Sequence, residues 1–294
     1  MITHRIRIRS LVLVTAVLAA FLAAATVEAE ELKRVAERLL PFASGGEIRI
    51  DDKNGKLTVE AWPRREVRIQ ITRVVRAGGR TRAEELMKDL QAEVEVRKDR
   101  IDIQSRFPKR HESIGILDLI GRSNTTLQIH YYLQVPERTD LTLVTSNGEV
   151  RVRGITGHVD AGTTNGDIRV SEVKGKVELS TTNGEVHVAS AGGPTSVHTT
   201  NGSVIAELRR LPPEGKVELG TLNGNVEAYF DSDLKATLEA QTTNGRVSIG
   251  FPITREGVMT SRTIRGTIQG GGAKITIGTT NGNVEVRRLG ERRP

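Results

Sequence analysis

The chain has 294 residues, only 3% of them aromatic, no cysteine, and a net charge of +7. The absence of cysteine excludes disulfides, thiol catalysis, iron–sulfur clusters and Cys-based zinc sites. With so few Phe, Tyr and Trp, the core must rest on Val, Ile, Leu and Thr, which suit pleated, half-buried surfaces.

Residues 1–29 read as an export signal. His4, Arg5, Arg7 and Arg9 form a positive n-region, and Leu11 to Val27 is apolar apart from Thr15 and Thr26. Val27-Glu28-Ala29 places small or branched residues at the −3 and −1 positions of a cleavage site. The apolar run is at the short limit for spanning a bilayer, so cleavage is favoured over an uncleaved anchor. No cysteine follows it, which excludes a bacterial lipoprotein anchor.

A frame begins at Gly46. The stretch GEIRIDDKNGKLTVEAW sets Ile48/Ile50 and Leu57/Val59 on either side of Asn54, each pair alternating with polar residues. Residues 63–138 leave that frame and read as an insertion that caps the end of a stack. Strands are expected at Val67 to Val75, Val94 to Ile103 and Leu127 to Val135. Thr81-Arg82-Ala83-Glu84 reads as a capping box opening a short helix, with Met87 and Leu90 inward. Between Pro108 and Asn124 lies an apolar run. It is read as core of the cap, or else as an exposed partner contact through Ile116, Leu117, Leu119 and Ile120.

The frame resumes at Leu141/Leu143 and then recurs. The full set of framed turn residues is Asn54, Asn147, Asn165, Asn183, Asn201, Asn223, Asn244 and Asn281, each followed by Gly. From Asn147 the first three gaps are 18 residues, and the next are 22, 21 and 37. Apolar pairs flank each Asn, as in Val159/Ala161 and Ile168/Val170, and a third apolar position falls between them at Ile155 and Val173. Thr163, Thr181, Thr199, Thr221, Thr242 and Thr279 all lie two residues before an Asn.

Two arrangements fit: a meander of hairpins, since Asn-Gly favours two-residue turns, or a solenoid in which each repeat is one turn stacked on the next. The regular spacing favours the solenoid. At about 4.8 Å between coils, Asn side chains would bond along a ladder, with Gly supplying the positive φ of the bend. The expected class is all-β: a parallel β-solenoid of short-strand coils with an N-terminal α+β cap insertion. Its parts are a signal peptide (1–29), a first coil plus capping insertion (30–139), and the repeat solenoid with a basic tail (140–294). Phe251-Pro252 and Gly270-Gly271-Gly272 fall in the gap before Asn281, a segment placed to close the other end.

No residues converge on a catalytic, cofactor or metal site. His158, His187 and His198 fall at three different offsets in the frame and read as surface residues beside His111 and His130. Glu149, Asp167 and Glu185 form one acidic column; Asp160, Glu178, Glu218 and Glu239 form a second, broken by Ser196. Stacked carboxylates suit Ca²⁺ or acid–base work. Here His158, Lys176, Lys216, Lys274, Arg151 and Arg169 neighbour them, and a neutralised, solvated face is the favoured reading. Gly270-Gly271-Gly272 lacks the Lys-Ser/Thr of a phosphate loop.

The opening GEIRIDDKNGKLTVEAW, the strand LQIHYYLQVP leading into LVTSNGEVRV, the repeated TTNG-x-[VI] and the closing GGGAKITIGTTNGNVEV together resemble the DUF4097 adhesin-like family of β-solenoids. The resemblance spans about residues 44–288, nearly all of the mature chain. It implies an envelope or cell-surface protein and carries no catalytic residues with it. The expected function is a non-enzymatic, exported scaffold or binding module that is periplasmic, surface-bound or secreted, with an envelope protein or a polysaccharide as partner. A polysaccharide-active β-helix enzyme and an accessory of an envelope membrane or signalling protein are the alternatives. No cofactor and no specific nucleic acid is expected. Membrane contact is confined to an uncleaved N-terminus or the tail of Arg287, Arg288, Arg292 and Arg293.

Overall fold

Alternation builds the coils. In the computed structural model, which describes residues 29–108, 125–256 and 260–290, the strand Val159–Asn165 buries Val159, Ala161 and Thr163 and turns Asp160 and Thr164 outward. Gly166 and Asp167 turn the chain. Ile168–Ser171 then buries Ile168 and Val170, and Val173 fills the corner. The first strand lies parallel to Val177–Asn183, with Val159 opposite Val177 and Asn165 opposite Asn183. The second lies parallel to Val186–Ala191. Each repeat is therefore one turn of a coil, not a hairpin. The five inward apolar side chains of this turn are at most 2% exposed. Burying a Val or Ile contributes about 1.5–3 kcal/mol, so the stack interior dominates stability.

Among the described residues the coils merge into a 12-stranded and an 11-stranded sheet enclosing one apolar core. The strands that end in Asn form the first sheet, and those that follow Gly form the second. The coil of Asn54 joins the stack although it is distant in sequence. Glu47–Asp51 pairs with Asp140–Asn147, and Leu57–Trp62 pairs with Val150–Arg153, both in parallel.

Beyond that coil the segment 63–138 adds a cap. Arg100–Arg106 and Thr126–Pro136 extend the two sheets by one parallel strand each. Glu66–Gly78 turns antiparallel on Thr126–Pro136, and Ala29–Pro41 forms the outermost strand against Glu66–Gly78. The helix Arg80–Asp89 packs on these strands through Ala83, Leu86 and Met87. Its start differs from the sequence expectation. Gly79, at φ 103°, occupies the N-cap position and no side chain caps the helix, so Thr81 lies inside the first turn. Glu84 pairs instead with Arg80 at 3.0 Å.

At the other end the stack departs from chain order. Lys216–Asn223 pairs not with the next framed strand, Ala236–Asn244, but with Ala273–Asn281. Ala236–Asn244 lies on the far side of Ala273–Asn281. The second sheet repeats the exchange: Val284–Arg288 sits between Val226–Phe230 and Val247–Ile249. The expectation that each turn stacks on the next fails here. The link 231–235 passes over one coil position, and the last coil later fills it. A cavity of about 240 Å³, lined by Phe230, Leu234 and Gly272 among others, marks the crossing. The intervening segment folds back: Thr263–Ile268 lies antiparallel on the outer edge of Ala236–Asn244, and Thr254–Arg255 lies antiparallel on Thr263–Ile268.

Candidate functional site

The Asn-Gly turns form a three-part ladder. Side-chain amides run in one direction: Asn165 Nδ2 donates to Asn147 Oδ1, and the pattern continues through Asn183, Asn201, Asn223, Asn281 and Asn244 at 2.7–2.9 Å. The Gly amides run the other way, so that Gly166 N–H donates to Asn183 O and Gly224 N–H to Asn281 O, each at 2.9 Å. The Gly carbonyls accept from the inward threonines: Thr181 Oγ1 bonds Gly166 O at 3.1 Å and Thr242 Oγ1 bonds Gly282 O at 2.8 Å. A hydroxyl here satisfies a carbonyl that the sheets do not reach.

Glycine is needed for a reason beyond the expected one. Gly202, Gly224 and Gly282 have φ of 152–153°, whereas Gly148, Gly166, Gly184 and Gly245 have no positive φ. The shared requirement is closeness. A Cβ on Gly184 would stand 1.9 Å from Gly166 O, and one on Gly166 would stand 2.1 Å from Gly148 O. Asn54 also differs from its fellows. A backbone bridge aligns it with Asn147, but its side chain bonds Leu127 O at 2.8 Å. The side-chain ladder therefore starts at Asn147, whose own amide reaches Lys53 O at 3.3 Å.

The inward column carries an irregularity that the sequence reading missed. Asp51 pairs with both Val144 and Gln104, so one residue on, Asp52 stands between Thr145 and Ser105. Asp52 is thus the counterpart of the threonines, two residues before Asn54, and the frame itself would have revealed it. It is 2% exposed. Ser105 Oγ donates to its Oδ1 at 2.5 Å, and Tyr131 OH, 2.7 Å from Ser105 Oγ, supplies the next hydrogen. Asp52 Oδ2 and Thr145 Oγ1 have no partner among the described residues. Burial pushes the Asp52 carboxyl above its usual range, against the pull of Ser105 and the amides of Lys53 and Asn54; Asp51 adds to the rise. Burial also pushes the Tyr131 phenol up.

Cations pair with five of the seven acidic-column residues, Glu149, Asp167, Glu178, Glu218 and Glu239. Glu149 takes Lys56 at 3.0 Å, Arg151 at 2.5 Å, and Arg169. Burial raises its pKa, but these three cations outweigh burial and hold the carboxyl below its usual range. Asp167 pairs with Arg169 at 3.0 Å and accepts from Glu185 N–H at 2.9 Å. In the second column, Lys176 pairs with Glu178, Lys216 with Glu218 and Arg265 with Glu239. Asp160 is raised by burial and by Glu178. Glu218 and Glu239 are not neighbours, because Thr276 of the intercalated coil lies between them.

The histidines stay apart. His158 Nδ1 accepts from Lys176 N–H at 3.2 Å and His130 Nδ1 from Lys56 N–H at 3.0 Å, while Ser196 Oγ lies 3.3 Å from His198 Nε2. No group of three metal-ligating side chains occurs among the described residues. Tyr229, Phe230 and Phe251 are buried, so none forms an aromatic platform for a sugar. Of the basic tail, Arg287 pairs with Glu285 at 2.6 Å and Arg288 lies over the Phe251 ring at 5.5 Å. Arg292 and Arg293, the expected export signal up to residue 28, His111 and the candidate contact residues Ile116, Leu117, Leu119 and Ile120 lie outside the described residues. No helix among the described residues is long and apolar enough to cross a membrane.

One face remains open. The residues directly before each ladder Asn point outward from the 12-stranded sheet, and their order in space is Ser146, Thr164, Thr182, Thr200, Leu222, Thr280, Thr243. Beside them run small residues, including Gly162, Ser180, Gly220 and Gly278. At the intercalated coil this face dips into a shallow trough of about 270 Å³ between Gln241, Gly278 and Thr280.

Two-sheet stacking, an Asn-Gly ladder and an antiparallel cap define a parallel β-solenoid with a hydroxyl-lined face. The chain belongs to the Toastrack DUF4097 family, whose model matches residues 45–287. No curated protein matches it. Among solved structures it is similar to a candidate cell adhesion protein from Clostridium sporogenes, at 11% identity and a TM-score of 0.35, covering 89% of this chain and 100% of that one. It is also similar to a candidate adhesin from Bacteroides fragilis, at 10% identity and a TM-score of 0.39, covering 86% and 97%. A third is a candidate lipid-binding protein from Parabacteroides distasonis, at 10% identity and a TM-score of 0.28, covering 87% and 97%.

Proposed function

We propose that the chain is an exported, non-enzymatic binding module of the cell envelope that presents the outer face of its 12-stranded sheet to a polysaccharide. The observation that carries this reading is the outward column from Ser146 to Thr243, hydroxyl-bearing at every position except Leu222 and held in register by the Asn ladder beneath it. Hydroxyls at a fixed spacing of about 4.8 Å offer donors and acceptors to a polar polymer. A face tied by hydrogen bonds in every coil loses little further freedom on binding. Among the described residues, Glu178, Glu218 and Glu239 each pair with a cation, so no two neighbouring carboxylates of that column are both unpaired, as glycoside hydrolysis would need.

The test is a glycan array probed with residues 30–294 and with a Thr164→Arg/Thr182→Arg variant of equal thermal stability. The expected result is retention of a polysaccharide by the parent, without turnover, and its loss in the variant. Cleavage of a bound glycan would support an enzyme instead. Unchanged binding by the variant would move the contact off this face.

A further inference from the structure

All eight Asn-Gly dipeptides have the same intrinsic chemistry. The Gly backbone nitrogen can attack the Asn Cγ, forming a C–N bond and expelling the side-chain nitrogen as ammonia. Water then opens the cyclic imide at either carbonyl, leaving aspartate or isoaspartate. Ring closure requires the Gly amide to swing toward the Asn side chain. A hydrogen bond that fixes the Gly N–H to a neighbouring coil prevents the swing.

Seven of the eight are fixed in that way, from Gly55 N–H on Asn147 O to Gly282 N–H on Asn244 O, at 2.9–3.0 Å. Gly245 is the exception: its N–H has no acceptor among the described residues. The returning hairpin touches the chain on both sides, with Thr242 N–H on Arg262 O and Val247 N–H on Ser261 O, both 2.9 Å, and leaves Gly245 between them. Gly245 is also exposed, whereas the other seven are half-buried or buried. Asn244 donates to Asn281 but receives no side-chain bond on its own Oδ1 among the described residues. The open end of the ladder is therefore Asn244, because the coil of Asn281 lies inside the stack.

We propose that Asn244-Gly245 is the site at which the folded chain deamidates, and that the stack protects the other seven dipeptides. The product breaks one rung, since a carboxylate at this position cannot donate to Asn281 Oδ1.

The full chain is incubated folded in mildly alkaline buffer, digested with trypsin and mapped for isoaspartate. A parallel sample is kept in denaturant. Cleavage after Lys235 and Arg246 separates Asn244 from Asn281, which falls between Lys274 and Arg287. The folded protein should accumulate isoaspartate at Asn244 about tenfold faster than at Asn183 or Asn281, the factor set by one hydrogen bond of about 1.4 kcal/mol. The denatured chain should react at all eight. Equal rates in the folded protein, faster reaction at Asn281, or an inert Asn244 beside a reactive denatured control would each overturn the proposal.

Discussion

The coils of Asn147 to Asn201 and those of Asn223 to Asn281 use the same residues but obey different rules of order. In the first group, chain order and stacking order coincide, and the period of 18 residues is unbroken. In the second, the coil made last is the one held between two earlier coils. The ladder chemistry continues across the exchange without a change in geometry: Asn281 bonds Asn223 at 2.7 Å, and Asn244 bonds Asn281 at 2.8 Å. Register is therefore written into each coil by its Asn, Gly and Thr. Neighbour identity is set separately, by the length and path of the links between coils.

That separation has its largest consequence for deletions. Removing residues 165–182 takes out one whole period and rejoins Thr164 to Asn183, so the shortened stack should fold and unfold cooperatively. Removing 273–294 also deletes one framed coil but empties the slot between Lys216–Asn223 and Ala236–Asn244. Segment 236–268 should then be cut quickly in limited proteolysis; equal protease resistance of the two products would contradict the intercalated order.

A smaller effect separates glycines inside the ladder from glycines outside it. Gly184→Ala brings a Cβ against Gly166 O and should cost about 3 kcal/mol. Gly192→Ala, whose Cβ would lie 3.6 Å from Arg209 O, should stay within about 0.5 kcal/mol. Chemical denaturation of the two variants measures the difference.

The smallest effect lies at the N-terminal junction, where Asp52 replaces a threonine of the column. Its pKa is raised in the folded state, so the native protein holds this proton more tightly than the unfolded chain does. Stability falls as pH rises from the ordinary aspartate value of 3.8 to the raised folded value, and the penalty persists above it. Asp52→Asn does not titrate and keeps an acceptor for Ser105. Its stability relative to the parent should rise across that window and then stay level. Parallel pH profiles for the two proteins would remove Asp52 from the account.

The residues themselves reveal the coil, its two apolar columns, the threonine column and the join between Asn54 and Asn147, because each is a periodic demand that every turn must meet. The order of the last three coils is not readable in the same way. Every coil offers its neighbours nearly the same edge, so GTLNGNVEA and GTTNGNVEV accept each other as readily as either accepts the coil between them in sequence. The outermost strand Ala29–Pro41 is hidden for another reason. Leu32, Val35 and Leu39 recur at three and four residues, a helical spacing, yet pairing with Glu66–Gly78 makes the segment a strand and leaves Val35 and Leu39 more than half exposed. The conformational role expected of glycine holds only in part, since Gly55, Gly202, Gly224 and Gly282 have positive φ and the other four ladder glycines do not. Only the approach of one coil's carbonyl to the next coil's Cα reveals the steric demand.

The intercalated coil also dictates when the molecule can be finished. A solenoid stacked in chain order would close turn by turn as it leaves a ribosome or a translocon. Here residues 236–249 emerge before the strands that must separate them from the coil of Asn223. The growing chain must hold that place open or vacate it until Ala273–Asn281 and Val284–Arg288 arrive. Native structure at this end is therefore set by the delayed entry of one central turn.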